Sequence, residues 1–171
     1  MNAPDIRQAI DKLGATISAD PAKAKAKNAP ATARLVNGLQ CEVTGPHGER
    51  IRTDMPPAMG GAAGGPNPGW LFRGALASCT ATVIAMRAAK LGIALDLLEV
   101  SAETDSDHRG MLGLDENISA GMRNLRMKIR IAGDAAPETL REIAAWADAH
   151  SPVGCTVRQA PACSIEIELA K

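Results

Sequence analysis

The chain has 171 residues, 46% of them apolar, which suits one domain of ordinary size with a hydrophobic core. Nineteen basic residues balance nineteen acidic ones, and the chain has only two tryptophans, one phenylalanine and no tyrosine. No net charge therefore favours nucleic acid or an anionic membrane, and no aromatic platform is available for stacking single-stranded bases. We expect neither a nucleic-acid partner nor a membrane partner.

The amino terminus lacks the basic segment followed by an apolar one that marks a secretory signal. We therefore expect a cytoplasmic protein whose four cysteines are thiols rather than disulfides. The cysteine spacings contain no Cys-x-x-Cys, and the three histidines are not set near cysteines in a zinc-like pattern. We predict no metal site.

The first 30 residues differ in pattern from the rest of the chain. Apolar residues recur there at helical spacing and are followed by an alanine- and lysine-rich stretch, so residues 1–30 are predicted to form a short helix and a linker. The main domain is predicted over residues 31–171. It begins with a strand-like pattern over 32–54 that includes a hairpin turn at 45–48, and a glycine-rich loop follows.

The strongest helix signal begins at Asn67 and Pro68. The asparagine side chain can accept from free amide groups of the first turn, and proline at the first helical position loses no hydrogen bond. The pattern predicts a helix that ends near Lys90 and is terminated by Gly92. Its unbroken apolar stretch, residues 74–86, is shorter than the about 20 residues that cross a bilayer, so we predict a helix buried on most sides in a soluble core.

The second half of the chain contains strands and one further helix. Strands are predicted at 97–103, at 125–131 and at 165–169, and a long polar loop separates the first two. Pro137 opens a helix that ends near His150. Strands on either side of two helices indicate an α+β fold with a mainly antiparallel sheet.

Cys79 and Cys155 are the candidate reactive thiols. Cys79 lies inside the apolar stretch of the first long helix, and Cys155 follows a turn-like segment at 150–154. A thiol reduces a peroxide only as thiolate, which attacks the O–O bond and leaves a sulfenic acid that a second thiol can condense with. Each could instead be a packing residue, since free cysteine is often buried, and we interpret Cys41 and Cys163 as such because they share strand faces with apolar residues.

Cys79 needs a cation to stabilise its thiolate. It lies eleven residues beyond Pro68, roughly 16 Å along the helix, whereas the helix dipole acts only within the first turn. An arginine is the natural choice because it stays charged when partly buried, and Arg34 on the first strand is the candidate. Arg73 is less suited, because its spacing from Cys79 places it on another face of the helix.

Two segments resemble the OsmC/Ohr family: residues 65–81, which contain the Asn-Pro helix start and Cys79, and residues 150–154, which read His-Ser-Pro-Val-Gly. The resemblance covers nearly everything from about residue 32 onward. It implies an OsmC-like domain over 31–171, with mainly antiparallel sheets packed on two long central helices in an intertwined homodimer. It also implies reduction of organic hydroperoxides by a cysteine pair at the subunit interface. A dithiol reductant, often linked to a lipoyl protein, recycles the pair without metal or organic cofactor.

By this resemblance Cys79 corresponds to the peroxidatic cysteine, while other site positions differ. Family enzymes carry a glutamate just after the Asn-Pro, where this chain has Gly69, and a resolving cysteine before the proline of the second motif, where it has Ser151. Cys155 lies four residues further on and would share a helical face with Ser151, which makes it the candidate resolving thiol. Gln40 stands near where active relatives place the activating arginine.

Two functions are compatible with these residues. The first is a thiol-dependent peroxidase in which Cys79 attacks an alkyl hydroperoxide, Cys155 resolves and Arg34 stabilises the thiolate. The second is a non-catalytic OsmC-like dimer that binds a small hydrophobic ligand, with structural or redox-sensing cysteines. Gly69 and Ser151 favour the second function.

Overall fold

A computed structural model describes residues 3–170, which form helices and two antiparallel sheets. The helices are α1 (Ala3–Ala19), α2 (Pro68–Leu91), α3 (His108–Met111), α4 (Pro137–His150) and α5 (Pro152–Arg158), and short 3-10 helices lie at Pro21–Ala24 and Pro57–Met59. The strands are β1 (Thr32–Asn37), β2 (Gln40–Thr44), β3 (Arg50–Thr53), β4 (Leu95–Asp105) and β5 (Arg123–Gly133). The predicted α+β class is confirmed.

The two sheets differ in how much support they receive within the protomer. The β1-β2-β3 sheet is built from consecutive hairpins, and the predicted turn at 45–48 connects β2 to β3. The β4-β5 sheet pairs Leu98 with Ile131 and Val100 with Ile129, and these apolar side chains pack against the core. The second sheet therefore carries the protomer core, whereas every residue of β1 in the first sheet is exposed.

The ends of α2 follow the sequence signals closely. The Asn67 side chain accepts a hydrogen bond from the Trp70 N–H at 2.9 Å, and Pro68 occupies the first turn. Gly92 terminates the helix with φ of 74°, a left-handed conformation that glycine adopts without a steric penalty. These caps fix where each α2 side chain lies along the helix.

Only one face of α2 is buried in the protomer. Ile84 and Ala88 pack with Ile143 and Ala147 of α4 in the centre of the core. The other faces leave large apolar side chains half exposed, among them Met86 at 40%. The prediction of a helix buried on most sides is therefore wrong for the protomer, because α1, α4, α5 and the β4-β5 sheet together leave these side chains uncovered. By length and composition alone, α2 is the one helix among residues 3–170 that could cross a bilayer, a property shared by core helices of soluble proteins.

The predicted carboxyl-terminal strand is absent from the protomer. Residues 159–170 contain no helix or strand, and Ile165, Ile167 and Leu169 are 85%, 79% and 90% exposed. Cys163 is also exposed, so its predicted packing role is wrong. The alternating pattern is present, but a strand needs a neighbouring backbone, and no other strand in the described part of the chain pairs with this segment.

The amino-terminal helix packs on the last turns of α2. Ile6, Ile10 and Ile17 of α1 are partly buried, and Asp11 forms an ion pair with Lys90 near the end of α2. The segment that follows, up to β1, is exposed. The structure thus has a helix over Ala3–Ala19 and an exposed segment before β1, while the first two residues of the predicted 1–30 segment lie outside the described range.

Candidate thiol site

Cys79 lies in the middle of α2, where its half-buried side chain meets the junction of α4 and α5. The Ser151 hydroxyl is the polar group that contacts it, with Oγ 3.3 Å from the Cys79 sulfur. Ser151 is fully buried, so solvent does not compete for this contact. The residue that stands where family enzymes carry a resolving cysteine thus touches Cys79 directly.

The surroundings of Ser151 determine which way its hydroxyl points. Its oxygen accepts a hydrogen bond from the Gly154 N–H at 3.2 Å, and the Thr80 hydroxyl faces it at a longer 3.5 Å. A serine hydroxyl has one hydrogen to donate and two lone pairs to accept with. Because both lone pairs face donors, the hydroxyl hydrogen is directed at the sulfur of Cys79.

Local sequence explains why Ser151 sits there. It caps the amino end of α5, where serine is among the preferred residues, and Pro152 follows at the first helical position. Gly154 allows the cap to close tightly, since a Cβ at this position would lie 3.2 Å from Ser151 Oγ. The motif His-Ser-Pro-Val-Gly is therefore a helix junction whose cap also contacts Cys79.

Cys155 lies one turn along α5 and has a different environment from Cys79. Its sulfur donates to the Ala149 carbonyl oxygen at 3.3 Å and lies 3.6 Å from Nη2 of Arg158. Asp148 holds that guanidinium in an ion pair at 3.0 Å. The hydrogen bond with Asp148, and to a lesser extent that with Cys155, raises the pKa of Arg158, so the cation beside Cys155 is permanent. Sequence reasoning missed Arg158, although its spacing of three residues from Cys155 on a helix was a usable signal.

The structure does not bring the predicted arginine to Cys79 within one protomer. Arg34 lies on exposed β1 opposite Glu42, and in the described chain the three-stranded sheet has no extensive contact with α2. Arg73 donates from Nη1 to the Thr104 hydroxyl on β4 at 3.3 Å. Neither arginine therefore contacts the Cys79 sulfur in the protomer.

Met122 occupies the space beside Gly69. A Cβ built on Gly69 would lie 2.9 Å from the Met122 Cε, closer than real Cβ atoms approach a neighbour. Gly69 and Met122 also line a cavity of about 450 Å³ at the amino end of α2, together with Met55, Met59 and Met111. At position 69, where family enzymes carry a glutamate, this chain has a cavity wall formed largely by methionine side chains.

Gln40 takes part in a structural network rather than in the thiol site. Its amide donates to the Asp54 carboxylate at 3.3 Å, and this buried carboxylate also accepts from the N–H groups of Met55, Ala62 and Gly64 at 2.8, 3.1 and 2.9 Å. These hydrogen bonds, that of Gly64 foremost, lower the pKa of Asp54 against the opposing effect of burial. Asp54 thereby fixes the glycine-rich loop that leads into α2.

Among residues 3–170, no group of three or more histidine, cysteine, aspartate or glutamate side chains is arranged to hold a metal ion. Cys79 and Ser151 provide a half-buried thiol with one directed hydroxyl donor. This arrangement places a hydrogen-bond donor next to the sulfur at a position that is partly shielded from solvent.

Comparison with known proteins identifies the family. The family described as OsmC-like protein matches residues 60–166, which is more than half of the chain. This protein therefore belongs to the OsmC-like family, and the family assignment made from the two motifs is confirmed. No significant match was found among curated proteins.

Solved structures confirm the OsmC-like fold. An OsmC-like protein from Mycoplasma pneumoniae is similar with a TM-score of 0.67 at 16% identity, covering 80% of this chain and 91% of that one. An organic hydroperoxide resistance protein OsmC from Legionella pneumophila has a TM-score of 0.58 at 20% identity, covering 79% and 93%. The organic hydroperoxide resistance protein OhrB of Bacillus subtilis has a TM-score of 0.52 at 22% identity, covering 78% and 93%.

Proposed function

We propose that this protein is a thiol-dependent peroxidase that reduces small organic hydroperoxides, with Cys79 as the attacking thiol. We base this on the Ser151 hydroxyl, whose hydrogen is directed at the Cys79 sulfur from a fully buried position. A hydrogen bond donated to sulfur favours the charged thiolate over the neutral thiol. The names of the Legionella pneumophila and Bacillus subtilis structures, both organic hydroperoxide resistance proteins, agree with this substrate class.

In the first step, the Cys79 thiolate attacks the terminal oxygen of the hydroperoxide. The S–O bond forms as the O–O bond breaks, and the leaving alkoxide takes up a proton to become an alcohol. Cys79 is oxidised to a sulfenic acid, and the peroxide is reduced by two electrons.

The second step uses Cys155 as the resolving thiol. Cys155 lies one turn beyond Ser151, which contacts Cys79, and its sulfur would have to leave the Ala149 carbonyl oxygen to react with Cys79. As a thiolate, Cys155 attacks the sulfenic sulfur of Cys79. The S–S bond forms as the S–O bond breaks, and the leaving hydroxide takes up a proton from solvent to become water. An external dithiol, such as a lipoyl protein, then reduces the disulfide by exchange.

The active unit in this proposal is a homodimer. The exposed Trp70 and Phe72 near the amino end of α2, the exposed strand β1 and the unpaired segment around Ile167 are surfaces that a second copy would cover. Position 69 lies ten residues before Cys79, about 15 Å along α2, so a side chain there could act only on the thiol of another protomer. Arg34 would likewise reach Cys79 from a second copy.

A non-catalytic binding protein is the second candidate. The contact between Gly69 and Met122 favours it, because an apolar side chain fills the place of the family carboxylate. In that case the cysteines would be packing or redox-sensing residues, and the methionine-lined cavity would take a small apolar molecule.

Peptide mass spectrometry after oxidation tests the proposal. Fully reduced protein is treated with one equivalent of cumene hydroperoxide, and each cysteine is mapped, with half-buried Cys41 as the internal control for unspecific oxidation. We expect a rapid disulfide between Cys79 and Cys155 in the wild type and a trappable sulfenic acid at Cys79 in Cys155→Ser. Four reduced thiols after treatment would refute the peroxidase and leave the binding function.

A further inference from the structure

A groove between α1, α2 and α4 lies outside the thiol site. It encloses about 400 Å³, a volume within the range of small-molecule sites, and Ile10, Val83, Met86 and Pro152 form its apolar walls. Ile10 comes from α1, so the amino-terminal helix completes the groove. A molecule with an apolar body would fit these walls.

One side of the groove carries a stack of three planar groups. The Arg87 guanidinium lies over the Trp146 ring at 4.6 Å from its centroid, and the His150 ring stacks on Trp146 at 4.0 Å with an angle of 11° between the planes. His150 Nδ1 lies 2.7 Å from the Trp146 carbonyl oxygen, which can only accept, so Nδ1 carries the hydrogen. The stack holds the Arg87 guanidinium in a fixed position at the groove.

The charge of Arg87 is not balanced within the described part of the chain. Lys90, the other cation of the groove, forms an ion pair with Asp11. Arg87 takes part in none of the ion pairs among residues 3–170, and its guanidinium instead lies over the Trp146 ring at the edge of the groove. An arginine fork beside an apolar cavity is suited to a carboxylate, which it can bind through two parallel hydrogen bonds.

We propose that this groove binds a free medium-chain fatty carboxylate, with the alkyl chain between Ile10, Val83 and Met86 and the carboxylate on Arg87. The apolar walls contact the alkyl chain without fixing its position along the groove. The guanidinium of Arg87 binds the carboxylate and so orients the ligand. The site does not rest on the peroxidase function, because Arg87 lies eight residues beyond Cys79, about 12 Å further along α2. Its ligand is bound rather than converted.

Calorimetric titration of the full-length protein with decanoate tests this site. Decanol and decyltrimethylammonium are the matched probes, since they have the same chain with a neutral or a cationic end. We expect decanoate to bind at least about tenfold more tightly than decanol, because a charge-assisted hydrogen bond is lost with the alcohol. Decyltrimethylammonium is expected to bind more weakly than either.

Two variants locate the binding within the groove. Arg87→Met keeps an unbranched stem over Trp146 and removes the charge, so decanoate affinity should fall about tenfold while decanol affinity stays within about twofold. Met86→Glu puts a negative charge on a half-exposed wall position and should abolish decanoate binding. Arg141→Met, an exposed arginine of α4 paired with Glu138, is the charge-matched control and should change nothing.

Fluorescence of Trp146 gives an independent readout. In a Trp70→Phe background Trp146 is the sole tryptophan, and its emission should change with decanoate in step with the calorimetric signal. Equal affinity for decanoate and decanol, or an unchanged affinity in Arg87→Met, would overturn the proposal. So would a decanoate affinity that falls as rising protein concentration increases the dimer fraction, because the groove would then be covered by a second copy.

Discussion

The hydroxyl of Ser151 lies 3.3 Å from the sulfur of Cys79, although the two residues are 72 positions apart in the chain. The same hydroxyl accepts from the Gly154 N–H and so caps α5. One side chain thus joins the start of α5 to the thiol of α2. Its loss should affect stability and thiol reactivity together.

Replacing Ser151 by alanine separates these two contributions. We expect a stability loss of about 1 kcal/mol from the missing cap and roughly tenfold slower oxidation of Cys79 from the missing donor. Thermal unfolding measures the first effect, and the rate of sulfenic acid trapping at substoichiometric hydroperoxide measures the second. Ser78→Ala is the control, because Ser78 adjoins Cys79 on α2 but donates to the Ala75 carbonyl. Equal oxidation rates in both variants would show that Ser151 only caps α5.

A double-mutant cycle tests whether Met122 fills the position of the family carboxylate. Gly69→Ala should change the free energy of unfolding little. The helix propensity of alanine adds about 0.5–1 kcal/mol, but the new Cβ would lie 2.9 Å from Met122 Cε and must displace that side chain. In a Met122→Ala background the same substitution should recover most of that gain. Chemical denaturation gives the four free energies. Additive effects would mean that Met122 moves aside at no cost.

The parts of the fold that were predictable from sequence are those governed by local interactions. Asn67, Pro68 and Gly92 act within one turn of the helix end, so the bounds of α2 followed from the sequence. The prediction of a carboxyl-terminal strand was wrong because a strand depends on non-local pairing. Alternation around Ile167 indicates strand geometry, but it does not say which backbone completes the sheet, and in the protomer none does.

The candidate thiol site was likewise predictable only where local sequence determines it. Cys79 and Cys155 could be singled out by their motifs, and Ser151 by its position, but the contact between Ser151 and Cys79 depends on how α5 packs against α2. Met122 comes from the far end of a long polar loop whose path no local pattern fixes. The contacts made by Cys79 and Gly69 therefore depend on long-range packing, which the sequence motifs do not specify.

Asp54 should make the protein sensitive to acid. Its pKa is lower in the folded protein than the about 3.9 of an unfolded aspartate, so its contribution to stability is complete above that unfolded value. The contribution is lost as the pH falls through the lowered folded pKa. We expect Asp54→Asn to unfold at a lower temperature than wild type at neutral pH, and the difference to shrink in this acid range. Thermal melts across pH check this. Asp11→Asn removes two exposed ion pairs, with Arg7 and with Lys90, and should leave a much smaller and salt-dependent difference in melting temperature.

Substitution of single arginines in the β1-β2-β3 sheet tests whether Arg34 stabilises the Cys79 thiolate of a second protomer. Arg34→Met should slow the oxidation of Cys79 by about tenfold, since a cation beside a thiolate is worth at least that factor. Arg52→Met is the control, because Arg52 lies in the same sheet and also faces Glu42 across a strand pair. Competition for a limiting hydroperoxide gives the rate ratio. Identical rates for both variants would exclude Arg34 and leave Ser151 as the donor that Cys79 depends on.

A substitution at Ile167 tests whether the protein forms an intertwined dimer. In an isolated protomer, a substitution at a position that is 79% exposed should change stability by less than about 0.5 kcal/mol. In a dimer that pairs this segment as a strand, Ile167 faces the core, and Ile167→Asp should weaken dimerisation at least tenfold because an unpaired carboxylate is buried. Sedimentation velocity over a range of protein concentrations measures the dimer fraction. Glu168→Gln, at the neighbouring position on the opposite strand face, should leave it unchanged. A wild-type protein that sediments as a monomer at every concentration would exclude the intertwined dimer and with it any role of Arg34 at Cys79.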